Sequence, residues 1–197
     1  APNPMKVALF LEEAGLDYEA IPIDTRKGDQ HTAEFKAVNP NSKVPVIVDG
    51  DATVFDSNAI LLYLADKTGK FLPADTPARR GELLSWLMFV ATGVGPFSGQ
   101  CVHFTHHAPE QIEHARKRYQ FEAMRHYKLL DDRLAANAYM VGDSYTIVDM
   151  DVWGWARMVP FVLGEQAWAE LPALKRLTDE IEARPAAQRA AQIKDRF

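Results

Sequence analysis

The sequence predicts a small α/β unit followed by an all-helical unit, on three observations. Up to Leu72-Pro73, helical and strand-like runs alternate, and one tight turn, Asp49-Gly50-Asp51, separates two apolar runs. From Arg79 onward the periodicity is helical throughout. Between the two lies a short linker, Ala74–Pro77, so the expected units are residues 1–72 and 77–197. A chain of 197 residues has room for both.

Each element has a local reason. Residues 4–15 read as a helix: Val7, Phe10 and Leu11 share a face, Pro4 suits a first turn and Gly15 a stop. Tyr18–Ile23 is strand-like, with Pro22 marking an edge or a bulge. Arg26–Gln30 is a polar loop, and a short helix over Ala33–Ala37 ends before Asn39-Pro40. Val44–Val48 and Thr53–Phe55 flank the tight turn as a hairpin. Ser57 is the expected N-cap of a helix running to about Lys67, with Gly69 as its stop. The order is α-β-α-β-β-α, compatible with a thioredoxin-like sheet. Its first strand returns from a helix and needs a parallel partner to complete a right-handed β-α-β unit. The natural protein is therefore expected to carry roughly 5–10 residues before Ala1, forming a central strand.

In the helical unit, residues 78–90 form one long helix. Ala91–Pro109, rich in Gly and His, reads as a bent or broken helix, and Glu110–Ala136 as a second long one. Thr146-Ile147-Val148-Asp149 has the form of a capping box and opens a further helix, with Met150, Trp153, Ala156 and Arg157 at helical spacing. Leu171–Ala183 is a further helix, closed by Arg184-Pro185.

Composition narrows the function. Hydrophobic residues make up 47% of the chain, enough for a real core. The net charge is −5 and the basic residues are scattered, which argues against a nucleic-acid surface. No apolar run approaches the ~18 residues of a membrane span. Cys101 is the single cysteine, so an internal disulfide and a Cys-x-x-Cys redox centre are both excluded. That usage fits a reducing cytoplasm. Cys101 itself reads as a small buried apolar residue. If the protein does thiol chemistry, the thiol comes with a ligand.

Several runs are more specific. Asn39-Pro40-Asn41-Ser42-Lys43-Val44-Pro45-Val46-Ile47 resembles the segment around the cis-proline of glutathione transferases. Phe55-Asp56-Ser57-Asn58-Ala59-Ile60-Leu61-Leu62-Tyr63-Leu64 resembles their acidic residue–serine signature and the helix behind it. The Thr146–Asp149 box sits where the helical domain of that family has one. Ala1-Pro2-Asn3-Pro4-Met5-Lys6-Val7 resembles the opening of the bacterial Nu class and of related fungal nitrogen regulators. Gly95–Gln100, His103-Phe104, Ala108-Pro109 and Arg118-Tyr119-Gln120 resemble the Nu-class helical domain. The resemblance spans essentially the whole chain. It implies a glutathione transferase architecture, use of glutathione as co-substrate without a metal, and glutathione-dependent reduction of small disulfides in a homodimer. Glutathione disulfide is the matching product ligand.

The same resemblance assigns roles that physical chemistry can support. Glutathione is an acidic tripeptide with two carboxylates, an amino group and a thiol. Asp56-Ser57 at a helix start offers N–H groups and a hydroxyl to the γ-glutamyl carboxylate, helped by the helix dipole; a plain helix cap is the alternative. Val44-Pro45, cis in this family, exposes the Val44 N–H and C=O to the cysteinyl backbone in the manner of an added strand. Gln30 matches a position that reaches the glutathione backbone. Lys43 is a candidate for the glycyl carboxylate, and Arg118 for the partner subunit's glutathione. Asn3 is the candidate catalytic residue. A free thiol has a pKa of about 8.5, and each unit of lowering needs about 1.4 kcal/mol. One hydrogen bond to a charged group supplies roughly 1.5–3 kcal/mol. A single amide donor thus lowers a thiol by roughly one to two units. Related Nu-class enzymes also have a threonine two residues before this asparagine. Here the position is Ala1: either one donor is absent or the chain is cut close to it.

His103, His106 and His107 are expected to line or flank the substrate groove; a metal site lacks a convincing third ligand. Trp86, Trp153 and Trp155 read as core. Two other functions stay open: conjugation of glutathione to electrophiles, and a weakly catalytic glutathione-binding regulatory module.

Overall fold

The computed structural model describes residues 1–193, so the last four residues of the predicted helical unit, 194–197, lie outside the described residues. The chain begins with helix α1 (Pro2–Ala14). Pro2 needs no N–H partner in a first turn, and Gly15 ends the helix in the left-handed conformation at φ 66°, its N–H on the Leu11 carbonyl. A 3₁₀ turn (Asp29–His31) and the short α2 (Ala33–Val38) follow. The hairpin is β1 (Val46–Asp49) and β2 (Ala52–Phe55), antiparallel, with Val46 opposite Phe55 and Asp49 opposite Ala52. Gly50, at φ 62°, makes the tight turn possible. Helix α3 (Ser57–Thr68) then packs on α1 and on the hairpin. Tyr63 donates to Asp49 Oδ2 at 2.9 Å, and Lys67 pairs with the same oxygen, which ties the hairpin turn to α3.

The remainder is helical: α4 (Pro77–Phe89), α5 (Gly95–Val102), α6 (Glu113–Ala136), α7 (Ile147–Ala156), α8 (Val159–Leu163), α9 (Pro172–Glu182) and α10 (Pro185–Gln192). The expected break over 91–109 is real. Two π-helical turns, Val90–Val94 and His103–His107, bracket α5. Gly93 has a steric cause: a Cβ there would lie 2.5 Å from the His126 ring. Pro96, without an N–H, removes one helical hydrogen bond just beyond.

Helix α7 is the axis of the molecule, and all ten of its residues are buried. Its start is a complete capping box. The Thr146 hydroxyl accepts from the Val148 N–H, and Asp149 Oδ2 accepts from the Thr146 N–H at 2.8 Å. Asp149 Oδ1 also accepts from the Met140 N–H at 2.8 Å. The Ile147 N–H reaches the Phe71 carbonyl at 3.0 Å, joining the end of the first part to the second. One core runs through both parts, from Phe10 and Leu61 to Met150, Leu177 and Ile181.

Three local expectations need correction. Tyr18–Ile23 forms no strand. A strand exists where a neighbour takes its alternating N–H and C=O groups; the sheet among the described residues is β1–β2, and Ile21 is 73% exposed. The first helix, expected from residue 4, starts at Pro2, so Asn3 lies inside the first turn of α1 with Ala1 at the cap position. The cap of α3 is Asp56, and Ser57 is the first helical residue: the longer Asp56 side chain reaches the N–H groups of Asn58 and Ala59.

Candidate functional site

A cavity of about 180 Å³ opens between the start of α1, the turn before β1 and the start of α3. Asn3, Lys43, Val44, Pro45, Asp56 and Ser57 all line it, together with Asn39, Asn41 and Phe55. Six of the eight residues expected from the sequence thus meet in one place. The volume is below the ~300 Å³ where pockets for drug-sized ligands begin. It suits the polar end of an extended ligand, with the remainder lying along the open edge.

Each wall has a local origin. Asp56 takes a left-handed φ of 72°, and its Oδ1 accepts from Asn58 N–H at 2.9 Å and Ala59 N–H at 3.2 Å. Two of the free N–H groups of α3 are therefore already used, and the Ser57 hydroxyl and N–H remain for an anion. The helix dipole adds a partial positive charge at this point. The Val44–Pro45 peptide is cis. The turn before it is braced by Asn39, 2% exposed, which donates from Nδ2 to the Lys43 carbonyl at 2.6 Å and accepts from the Asn41 N–H at 3.0 Å. Sequence reasoning gave Asn39 no role. The signal was present, because Asn followed by Pro-Asn-Ser is Asx-turn chemistry.

Asn3 stands at the mouth of α1. Pro2 and Pro4 have no N–H, so Asn3 and Met5 supply the backbone donors of the first turn. Asn3 Oδ1 is buried without a hydrogen-bond partner. The amide oxygen is thus uncommitted to the fold and free to meet a ligand.

A second residue that sequence reasoning missed is Lys6, one turn along α1. It is buried, pairs with Asp151 Oδ1 at 2.7 Å and reaches Ser57 Oγ at 3.5 Å. The signal was Asp151, a carboxylate inside the otherwise apolar run that follows the capping box.

The other two expected residues lie elsewhere. Gln30 is in the turn Asp29–His31, where Nε2 donates to the Thr25 carbonyl at 3.3 Å, and it is not in the cavity wall. Arg118, on α6, pairs along its own helix with Glu122 at 3.0 Å. His106 stacks on Phe161 and bonds its carbonyl at 2.9 Å, while His103 packs edge-on against Phe104. Among the described residues, no group of three or more His, Cys, Asp or Glu is placed to hold a metal ion. Cys101 is buried, and its thiol donates to the Val162 carbonyl at 3.3 Å. Burial pushes that thiol up, with Thr105 opposing, so it is a poor nucleophile.

Known proteins resemble the chain over almost its whole length. Residues 1–67 match the family Glutathione S-transferase, N-terminal domain, and residues 94–185 match Glutathione S-transferase, C-terminal domain. The chain is 41% identical to the disulfide-bond oxidoreductase YfcG of Escherichia coli over 211 aligned positions, covering 98% of this chain and 94% of that one. A crystal structure of a glutathione transferase family member from Pseudomonas fluorescens, with two glutathione bound, superposes with a TM-score of 0.90 at 37% identity, over 96% of this chain and 88% of that one. A Pseudomonas putida glutathione transferase, with one glutathione disulfide bound per subunit, gives 0.89 at 33% identity, over 98% and 88%.

Proposed function

The chain belongs to the glutathione transferase superfamily, and from that premise we propose that it is a Nu-class glutathione-dependent disulfide-bond reductase. The observation that supports this reading is the convergence of Asn3, Val44-Pro45 and Asp56-Ser57 on one cavity. Ser57 and the start of α3 receive the γ-glutamyl carboxylate, and Asp56 faces the γ-glutamyl amino group. The Val44 backbone pairs with the cysteinyl residue. Lys43, exposed at the rim, meets the glycyl carboxylate. In this pose the sulfur lies at the start of α1, where the Asn3 amide donates to the thiolate. Gln30 and Arg118 enter only with loop adjustment or from the partner subunit of a homodimer. The same proposal divides the chain at 1–72 and 77–197 and places it in the cytoplasm.

The chemistry balances without a protein thiol. One glutathione thiolate attacks a sulfur of the substrate disulfide, and the other substrate sulfur leaves and takes a proton. A second glutathione thiolate attacks the mixed disulfide at the glutathione sulfur. The products are two substrate thiols and glutathione disulfide, so two electrons pass from the glutathione pair. The buried position of Cys101, away from the cavity, is consistent with this scheme.

The test is turnover of hydroxyethyl disulfide by purified protein with glutathione. Multiple turnovers well above the enzyme-free rate are expected. A rate equal to the blank, with glutathione still bound, would establish the regulatory binding module instead. Conjugation of an electrophile without disulfide reduction would establish the transferase.

The Asn39 brace carries its own prediction. Asn39→Ala removes two hydrogen bonds in a buried turn, at a cost of about 1–3 kcal/mol. The Lys43–Pro45 backbone loosens, so KM for glutathione rises several-fold while kcat at saturation changes little. Steady-state kinetics separate the two, and an unchanged KM would show that the turn keeps its shape without the brace.

A further inference from the structure

Lys6 is where the two halves of the molecule meet behind the candidate site. Its side chain is 1% exposed, which is rare for lysine. The stem crosses α7 at Gly154, where a Cβ would stand 2.4 Å from Lys6 Cγ and 2.8 Å from Cε. Glycine at 154 therefore keeps the channel open. At its end Nζ lies 2.7 Å from Asp151 Oδ1 and 3.5 Å from Ser57 Oγ. Helix α1 supplies the cation, α7 the counter-charge, and the first residue of α3 the third contact.

Packing alone does not explain this pair. Apolar residues of similar volume commonly serve a core as well as a buried ion pair, or better. Position is what distinguishes it, because the cation stands directly behind Ser57, which lines the cavity. A hydroxyl has one O–H to donate and lone pairs to accept with. When Oγ accepts from Lys6, its own O–H is left to point into the cavity, toward an anion.

We infer that Lys6 is a positioning residue for a ligand carboxylate at Ser57, and that Asp151 sets how much of the Lys6 charge that carboxylate feels. This deepens the proposed reading and rests on it. Lys6 acts through the Ser57 hydroxyl and through its field. With Asp151 ionised the field is largely cancelled. With Asp151 protonated the full charge faces the carboxylate. The charged groups acting on Asp151 are Lys6 of α1 and Asp56 at the start of α3. Burial pushes Asp151 up to about 6, against the pull of Lys6. As pH falls through that value Asp151 loses its charge, so an anionic ligand binds more tightly at acid pH. The pH comparison needs S-methylglutathione, because the thiol of bound glutathione, lowered by Asn3, would itself ionise in this range; the methylated ligand has no thiol, and its carboxyls near 3.5 and amino group near 8, both approximate, change charge little between the two pH values.

The experiment is calorimetric titration of glutathione and of S-methylglutathione, the latter carrying the pH comparison, at pH 5.5 and 7.5 into wild type, Asp151→Asn, Lys6→Met/Asp151→Asn and Ser57→Ala. At pH 7.5, Asp151→Asn is expected to bind roughly five- to tenfold tighter than wild type, the size of one unscreened charge about 6 Å away in a medium of intermediate dielectric. The double variant leaves no lone buried charge and so keeps the fold; it should bind about tenfold more weakly than Asp151→Asn. Wild-type affinity should rise several-fold from pH 7.5 to 5.5, and that rise should vanish in Asp151→Asn. Wild type, Asp151→Asn and the double variant binding within twofold of one another, with Ser57→Ala weakened, would overturn the role of Lys6 and leave the cavity assignment standing. An equal acid-side rise in wild type and Asp151→Asn would also overturn it. Absence of glutathione binding by wild type would overturn the cavity assignment itself.

Discussion

Asn3→Ala is expected to slow glutathione-dependent reduction of a small disulfide by about ten- to a hundredfold at pH 6.5, with most of the loss in kcat. The side chain's Oδ1 is buried and has no hydrogen-bond partner to lose. Its removal should therefore leave stability nearly unchanged. What is lost is one donor to a thiolate, roughly 1.5–3 kcal/mol, or about one to two units of thiol pKa at about 1.4 kcal/mol each. Below the raised pKa the reactive thiolate falls in proportion, so the defect is largest on the acid side. It should shrink as pH passes about 8.5, where glutathione ionises unaided. A pH–rate profile of the two proteins checks this. A defect constant across pH would mean that Asn3 orients glutathione without stabilising its thiolate.

The second large effect concerns the fold. Asp149→Ala is expected to cost about 3–5 kcal/mol of unfolding free energy. The carboxylate holds three donors in the buried start of α7: the N–H of Met140, the N–H of Thr146 and the Thr146 hydroxyl. Orphaning a buried donor costs about 1–3 kcal/mol, and two backbone N–H groups here have no access to water. Thr146→Ala removes a single capping acceptor and should cost about 1 kcal/mol. Against a total stability of about 5–15 kcal/mol, the first change threatens the whole molecule, because α7 contacts α1, α3, α4 and α9. Urea unfolding midpoints measure both. Equal losses for the two variants would show that the bond to Met140 contributes little.

The parts of the fold legible in the sequence are those set by local chemistry. Gly15 and Gly69 stop their helices in the left-handed conformation, as their placement suggested. The capping box at Thr146–Asp149 is formed, and the Gly50 turn joins the two strands. The segment at Tyr18–Ile23 shows the limit. Its residues favour a strand, but pairing depends on a neighbour that no local pattern specifies. Ser57 as a cap failed for a similar reason: two adjacent polar residues can both cap, and the carboxylate of Asp56 reaches further.

The site divides the same way. Asn3, Lys43, Val44, Pro45, Asp56 and Ser57 stand in short runs whose chemistry is visible in one dimension. Asn39 needed its turn to be seen closed, and Lys6–Asp151 needed two helices 145 positions apart to be packed together. A buried pair across that separation becomes visible only once the core is built. Gln30 and Arg118 remain outside the cavity wall, held to Thr25 and Glu122.

The most direct measurement of the central claim is the ultraviolet titration of the thiolate of bound glutathione, in wild type and in Asn3→Ala at ligand saturation. The expected result is a bound thiol ionising about one to two units below the free value in wild type and returning close to the free value in the variant. A wild-type thiol that titrates like free glutathione, or a lowered one that Asn3→Ala leaves in place, would contradict it.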